Sequence, residues 1–476
     1  MRKRTYLILL LLLIIDSTLA DNIKLKYLTI EEGLSNNYVV SITQDKKGFV
    51  WIATEYGLNR FDGKNFKHFT KRSDGYFATI SGNELNKLFY DEEDDILWIA
   101  TQREGLNSFD CTTETFQEFK HTIDSNTIIG NDITHISGAT NGNLWLSSYY
   151  NGVDHYDKEE KKFTHYNQST LPNLISNKVW TVEEDKEHGL LFIGHVNEGL
   201  SVVSLKTKSI ETYAYDPLDE NSLPGNDVRS ILIDSNNNVW IGTNNGLALY
   251  NPIKKNFTNF NYNKQNESSL AGNLIYSIKE LSDKRIFIAT EGGGVSILDP
   301  VMNMFSSPDS VNFVRIKEGI ENKELNNRTV RDIFQDSFGN IWLGTYGNGI
   351  NLIAHSPLHF NTWEYSPLID KKDRLNNKVA WGICADLEDN LWIGTDGGGI
   401  NYFEKGEIKK IFRKETHNLV DNAFLAAMKD NDGNLWFGAY QNGISIYNSN
   451  LNKFEEISLP KDVDVRCFFE HNNNNI

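Results

Sequence analysis

Six side chains carry the chemistry of this sequence: Arg103, Tyr149, Tyr150, Trp180, His195 and Arg229. Aromatic rings stack on sugar faces, and Arg or Asn holds hydroxyls and carboxylates in fixed geometry. Around them stand Asn37, Tyr38, Tyr276, Arg331 and Tyr346, of the same types. This is binding chemistry, and the same residue types also serve as packing or as solvated loops. Catalytic readings do poorly. The 11 histidines include no HExxH, and there is no GxSxG. Carboxylates are so abundant that a pair carries little weight for glycosidase chemistry. Asp234–Asn238 and Asp430–Asn434 are oxygen-rich, but they lack the length and terminal Glu of a calcium loop and read as hairpin turns. Three widely spaced cysteines, Cys111, Cys384 and Cys467, make neither a disulfide framework nor a metal pair. No catalytic residue, metal or cofactor is expected.

What positions these residues is a repeat. Asn340-Ile-Trp-Leu-Gly-Thr-Tyr-Gly-Asn-Gly-Ile350 recurs along the chain, with its aromatic at Trp51, Trp98, Trp145, Phe192, Trp240, Phe287, Trp342, Trp392 and Trp436. The separations are 47, 47, 47, 48, 47, 55, 50 and 44 residues, a period that marks one supersecondary unit used many times. Each copy opens with an aliphatic strand such as Val228–Ile231, turns at an Asp/Asn/Gly cluster and enters the aromatic strand. A glycine turn, a third strand and a fourth strand with a spaced aromatic pair, as at Phe257 and Phe260, complete it. Four short antiparallel strands per repeat predict an all-β fold of propeller blades. Scarce Ala and the lack of a 3.6-residue stripe exclude a helical solenoid. Ala423–Met428 looks locally helical, but its place in the repeat predicts a strand. Arg103, Tyr149, Tyr150 and His195 fall in the loops between second and third strands. Trp180 and Arg229 fall in first strands. Both sets project on one face, around the mouth of a central channel. Trp180 and Trp381 replace an aliphatic of the first strand, either as larger core fillers or as rings on the channel wall.

Taken in order, residues 1–20 read as a secretory signal peptide: Arg2-Lys3-Arg4, an apolar run from Tyr6 to Ile15, and small residues before Ala20. Ten apolar residues are too few to span a bilayer. Net charge is −17, and about −19 without the leader, which carries three basic residues and Asp16. That acidity argues against nucleic acid or an anionic membrane surface as partner. Residues 21–356 predict a seven-bladed propeller in which strand 24–30 completes the last blade beside 350–354, removing two free edges. Residues 357–476 predict the start of a second propeller: an orphan closing strand at 359–365, two blades, and the first strand of a third at Val463–Phe469, where the sequence stops in mid-blade.

The segments Leu325–Ile350 and Leu375–Ile400 resemble the two-component regulator propeller repeat. The resemblance extends over residues 22–476. It implies the extracytoplasmic sensor region of a hybrid two-component system of Bacteroidetes type, with two consecutive seven-bladed propellers. In that family a β-sandwich, a membrane helix, a histidine kinase, a receiver and a DNA-binding region follow. Such proteins respond to oligosaccharides from glycans and switch on degradation genes. The resemblance therefore implies an exported, periplasmic protein, an oligosaccharide ligand and a homodimer in the full-length form. The rival readings are a propeller lyase or hydrolase and a structural dimerisation module.

Overall fold

The computed structural model describes residues 25–71, 79–124, 126–299, 311–319, 324–355, 364–365, 374–460, 462–471 and 476. The leader at 1–20 and residues 359–363 of the expected second closing strand lie outside them. The chain divides into two compact units, Met1–Pro357 and Leu358–Ile476.

The first unit holds seven four-stranded antiparallel sheets. Their innermost strands touch one another in an unbroken cycle: Val39–Gln44, Leu85–Asp91, Ile133–Gly138, Val179–Asp185, Val228–Ile233, Ile275–Glu280 and Val330–Gln335. This is a seven-bladed propeller. The seventh blade takes its outer strand from the start of the described chain, with Leu25 opposite Ile353 and Leu28 opposite Ile350. That ladder stops at Leu28, two residues short of the expected strand. Thr29 instead caps a single turn, Ile30–Glu32, in a reciprocal capping box with Glu32.

Why these sequences make blades is visible in the packing. The second strands, such as Val50–Thr54 and Ile341–Thr345, are buried on both faces. A ring points to one neighbour and an aliphatic to the other, as strand alternation requires. Seven hydrophobic cores result, one at each seam. Each fully buried indole, Trp51 for example, contributes on the order of 2–3 kcal/mol by area. The core closing the ring joins Leu28, Trp342 and Ile350 of the seventh blade to Val39, Ile42 and Ile52 of the first. A methyl group on Gly344 would meet Val39 Cγ1 at 2.6 Å, so that seam is closed at backbone distance.

The second unit contains two more four-stranded blades, starting at Ala380–Ala385 and Phe424–Lys429. Phe424–Lys429 is a strand, as the repeat predicts and local propensity does not. Glu364–Tyr365 pairs in parallel with Arg374–Leu375 as a short ribbon. Val463–Phe469 was expected as a strand but has no ladder. It carries one backbone bond to the preceding blade, Val465 N donating to Ala439 O at 3.0 Å. Val465 lies over Gly438 as Val228 lies over Gly194, the approach a following blade's first strand makes. A single such contact does not make a sheet.

Candidate functional site

In all seven blades of the ring the ladder between innermost and second strand skips one residue near its start. The skipped residues are Val40, Asn86, Thr134, Trp180, Arg229, Tyr276 and Arg331. A bulge frees its extra residue from pairing and re-aims it, and all seven side chains line one central channel with a cavity of about 440 Å³. That volume lies in the range of small-molecule sites. Trp180 is thus a ring on the channel wall and not a core filler. Trp381 in the second unit is likewise skipped by its ladder and is 56% exposed.

Around the mouth the aromatic and cationic side chains touch in series. Tyr150 meets Tyr149 edge-on, with centroids 4.6 Å apart, and Tyr149 meets Trp180 at 5.0 Å. The Arg229 guanidinium lies 5.1 Å from the Trp180 ring and 5.6 Å from that of Tyr276. Arg331 lies 4.6 Å from the Tyr276 ring and 5.6 Å from that of Tyr346, which meets Tyr38 at 4.9 Å. The arc draws on six of the seven blades. Asp227 pins its centre, accepting from Trp180 Nε1 and Arg229 Nε, both at 2.7 Å. The Tyr276 hydroxyl donates to Glu291 at 3.3 Å, and burial holds that phenol above its ordinary range. A ring contacted by two guanidiniums is oriented before any ligand arrives, which lowers the ordering cost of binding.

The six singled-out residues therefore separate. Tyr149, Tyr150, Trp180 and Arg229 come together in the arc. Arg103 is exposed on the loop of the second blade, near Asp132 and outside the series of contacts. His195 is a correction: it is fully buried inside the fourth blade and does not reach the rim. It stands at the end of Leu190–His195, where other blades put a threonine whose hydroxyl donates to a glycine carbonyl across the turn, as Thr243 does to Gly246. Its Nε2 pairs with Ser201 Oγ at 2.9 Å, and burial pushes its pKa down to about 4.

Below the mouth lies a charged layer that the sequence reading did not single out: Lys87, His135, Glu183, Lys279 and Asp332. Each follows a skipped residue by one or three positions and lines the same channel with it, because the bulge interrupts the strict alternation of the strand. Asp332 is the best held, accepting from Ile42 N at 2.8 Å and Ser277 Oγ at 3.2 Å, with Lys87 Nζ at 3.7 Å. Encirclement by protein pushes the Glu183 carboxyl up to about 7, against the pull of Lys279 and Lys87. Burial, reinforced by Lys87, depresses Lys279, and burial pushes His135 down to about 3. The residues could have been found as charges in first strands that elsewhere carry Ser or an aliphatic. Among the described residues no cluster of His, Cys, Asp or Glu has metal-site geometry, and no helix is long and apolar enough to cross a membrane.

A ring of seven four-stranded blades defines a β-propeller. More particularly, the chain carries two-component regulator propeller repeats, matched at residues 33–56, 222–245, 324–347 and 418–441. Each of these segments runs from the loop before an innermost strand to the loop after the second strand, the stretch that builds the rim. Across 95% of its length the chain is 44% identical to an extracellular domain assigned to a hybrid two-component system of B. thetaiotaomicron, with a TM-score of 0.63. It spans 57% of that domain. Over 47 residues it is 47% identical to Histidine kinase P4 of Formosa agariphila, covering 10% of this chain and 3% of that protein. An inactive virginiamycin B lyase from Staphylococcus aureus, crystallised with quinupristin, matches 70% of this chain and 99% of its own at 14% identity and a TM-score of 0.51, a likeness of fold alone.

Proposed function

We propose that this chain is the ligand-sensing part of an exported two-component sensor. In this reading the channel mouth of its first ring takes an oligosaccharide released from a glycan. The site faces the periplasm, and in a longer protein its occupancy controls a histidine kinase and the genes for polysaccharide use. The observation that carries the reading is the arc from Tyr150 to Tyr38, with rings for sugar faces and guanidiniums for hydroxyls and acid groups. The likeness to a sensor's extracellular domain supports the signalling half.

Calorimetric titration of the purified chain with a broad oligosaccharide panel tests it. Saturable binding by at least one member is expected, weakened about tenfold or more by Trp180→Ala, since a stacked ring and the neighbouring Arg229 are both disturbed. A panel without binding, or turnover of a panel member by the chain, contradicts the reading.

A further inference from the structure

The channel has the opposite sign to the chain around it. The whole sequence carries −17, yet the formally charged residues on the channel wall are four cations, Lys87, Arg229, Lys279 and Arg331, against two carboxylates, Glu183 and Asp332. Their balance is positive, and a concave, low-dielectric wall focuses such a net field on whatever enters. The cations are not equally satisfied. Arg229 spends its Nε on Asp227, and Lys87 reaches Asp332. Arg331, half-buried, and Lys279, exposed along the channel, have no ion-pair partner among the described residues. Arg331 is held in place by rings alone, those of Tyr276 and Tyr346. A guanidinium that is oriented but not neutralised presents a fork matched to a carboxylate or sulfate. Lys279, deeper in the same channel, adds a second positive charge along the path.

We propose that the first ring's channel selects anionic sugars, carrying a uronate carboxylate or a sulfate ester, and that Arg331 receives the anionic group. The inference rests on the carbohydrate reading above and narrows it. The sugar ring lies against the aromatic arc and the acid group turns inward toward Arg331 and Lys279.

The test titrates the purified chain with size-matched neutral, uronate-containing and sulfated oligosaccharides. An acidic member is expected to bind about tenfold or more tightly than its neutral counterpart, the gain of one charge-assisted pair. The preference shrinks as sodium chloride is raised. Arg331→Gln abolishes the preference: acidic binding falls to the level of neutral binding, a larger loss than neutral binding suffers from the disturbed Tyr276 and Tyr346 rings, and Arg331→Lys restores part of the preference. The uronate and sulfate arms say which acid group is read. Equal or tighter binding of the neutral sugars overturns the proposal and leaves the carbohydrate reading intact, as does an acid preference that survives Arg331→Gln. Failure of all three classes overturns both.

Discussion

At the scale of single residues, His195 shows how far a side chain's chemistry is from its function. Its type and its place beside the rim loops made it a candidate, but whether a residue at a strand end points into the channel or into the seam is decided by strand parity. Position 195 has the parity of Thr243 and Thr345, and the seam takes it. Burial then has a cost that depends on pH. The pKa of His195 falls from 6.5 to about 4 on folding, so above pH 6.5 the ring is neutral in both states. As pH drops through 6.5 the unfolded chain accepts a proton that the folded chain refuses until near 4, and stability is lost. Between pH 7.5 and 5 the loss from this group is about 2 kcal/mol. His195→Thr, the residue of five other blades in the ring, is expected to flatten the fall in melting temperature between those pH values. An unchanged slope contradicts the assignment.

At the scale of the element, the sequence reading recognised the turn after each first strand as a hairpin closed by Asp and Asn but saw only half of what the Asp does. Asp234 Oδ1 accepts from Asn236 N and Asn238 N, and its Oδ2 accepts from the Trp240 indole at 2.9 Å. Asp45, Asp336, Asp386 and Asp430 hold Trp51, Trp342, Trp392 and Trp436 in the same way. One carboxylate therefore closes the turn and satisfies the blade's buried ring. Two of the exceptions explain themselves; the second blade's does not, since Glu92 stands at the Asp position and the buried Trp98 Nε1 has no hydrogen-bond partner among the described residues. The sixth blade has Leu281 at the Asp position, and its ring is Phe287, with no N–H to satisfy. In the third blade Ala139 leaves Trp145 to reach Glu184 of the next blade at 2.7 Å. This pairing was legible as Asp six residues before Trp, yet turn chemistry alone accounted for the Asp and hid it. Asp234→Leu is expected to cost about 3 kcal/mol in urea unfolding, from an unpaired buried indole and two turn amides. Adding Trp240→Phe should return about 1 kcal/mol of it by removing the stranded donor. A double variant no more stable than the single one would separate the two roles. The bulges lay beyond sequence reading for a different reason: a skipped residue changes no residue type, only pairing.

At the scale of the whole molecule, periodicity carried most of the inference. Nine aromatics at a nearly regular period specify blades because the ring of each of the seven closed blades is buried at a seam, and a repeat of seams is a repeat of cores. The borrowed outer strand was readable too, since His355-Ser356-Pro357 breaks the repeat just after Ile350–Ile353 and the pattern of Leu25–Leu28 resembles a blade's fourth strand. What could not be read was which of many polar loops converge, because convergence depends on the ring and not on any one repeat. The ring turns seven unpaired positions inward and builds from them a mouth of rings and guanidiniums over a charged layer.

The most direct test of that mouth as the ligand site is amide hydrogen exchange on the chain with and without an oligosaccharide that binds it. Protection is expected at the skipped segments Val179–Thr181, Val228–Ser230, Ile275–Ser277 and Val330–Asp332 together, with Leu58–Phe61 and the other third strands unchanged. Protection confined to residues 374–460, or spread over outer strands with these four segments unaffected, would contradict it.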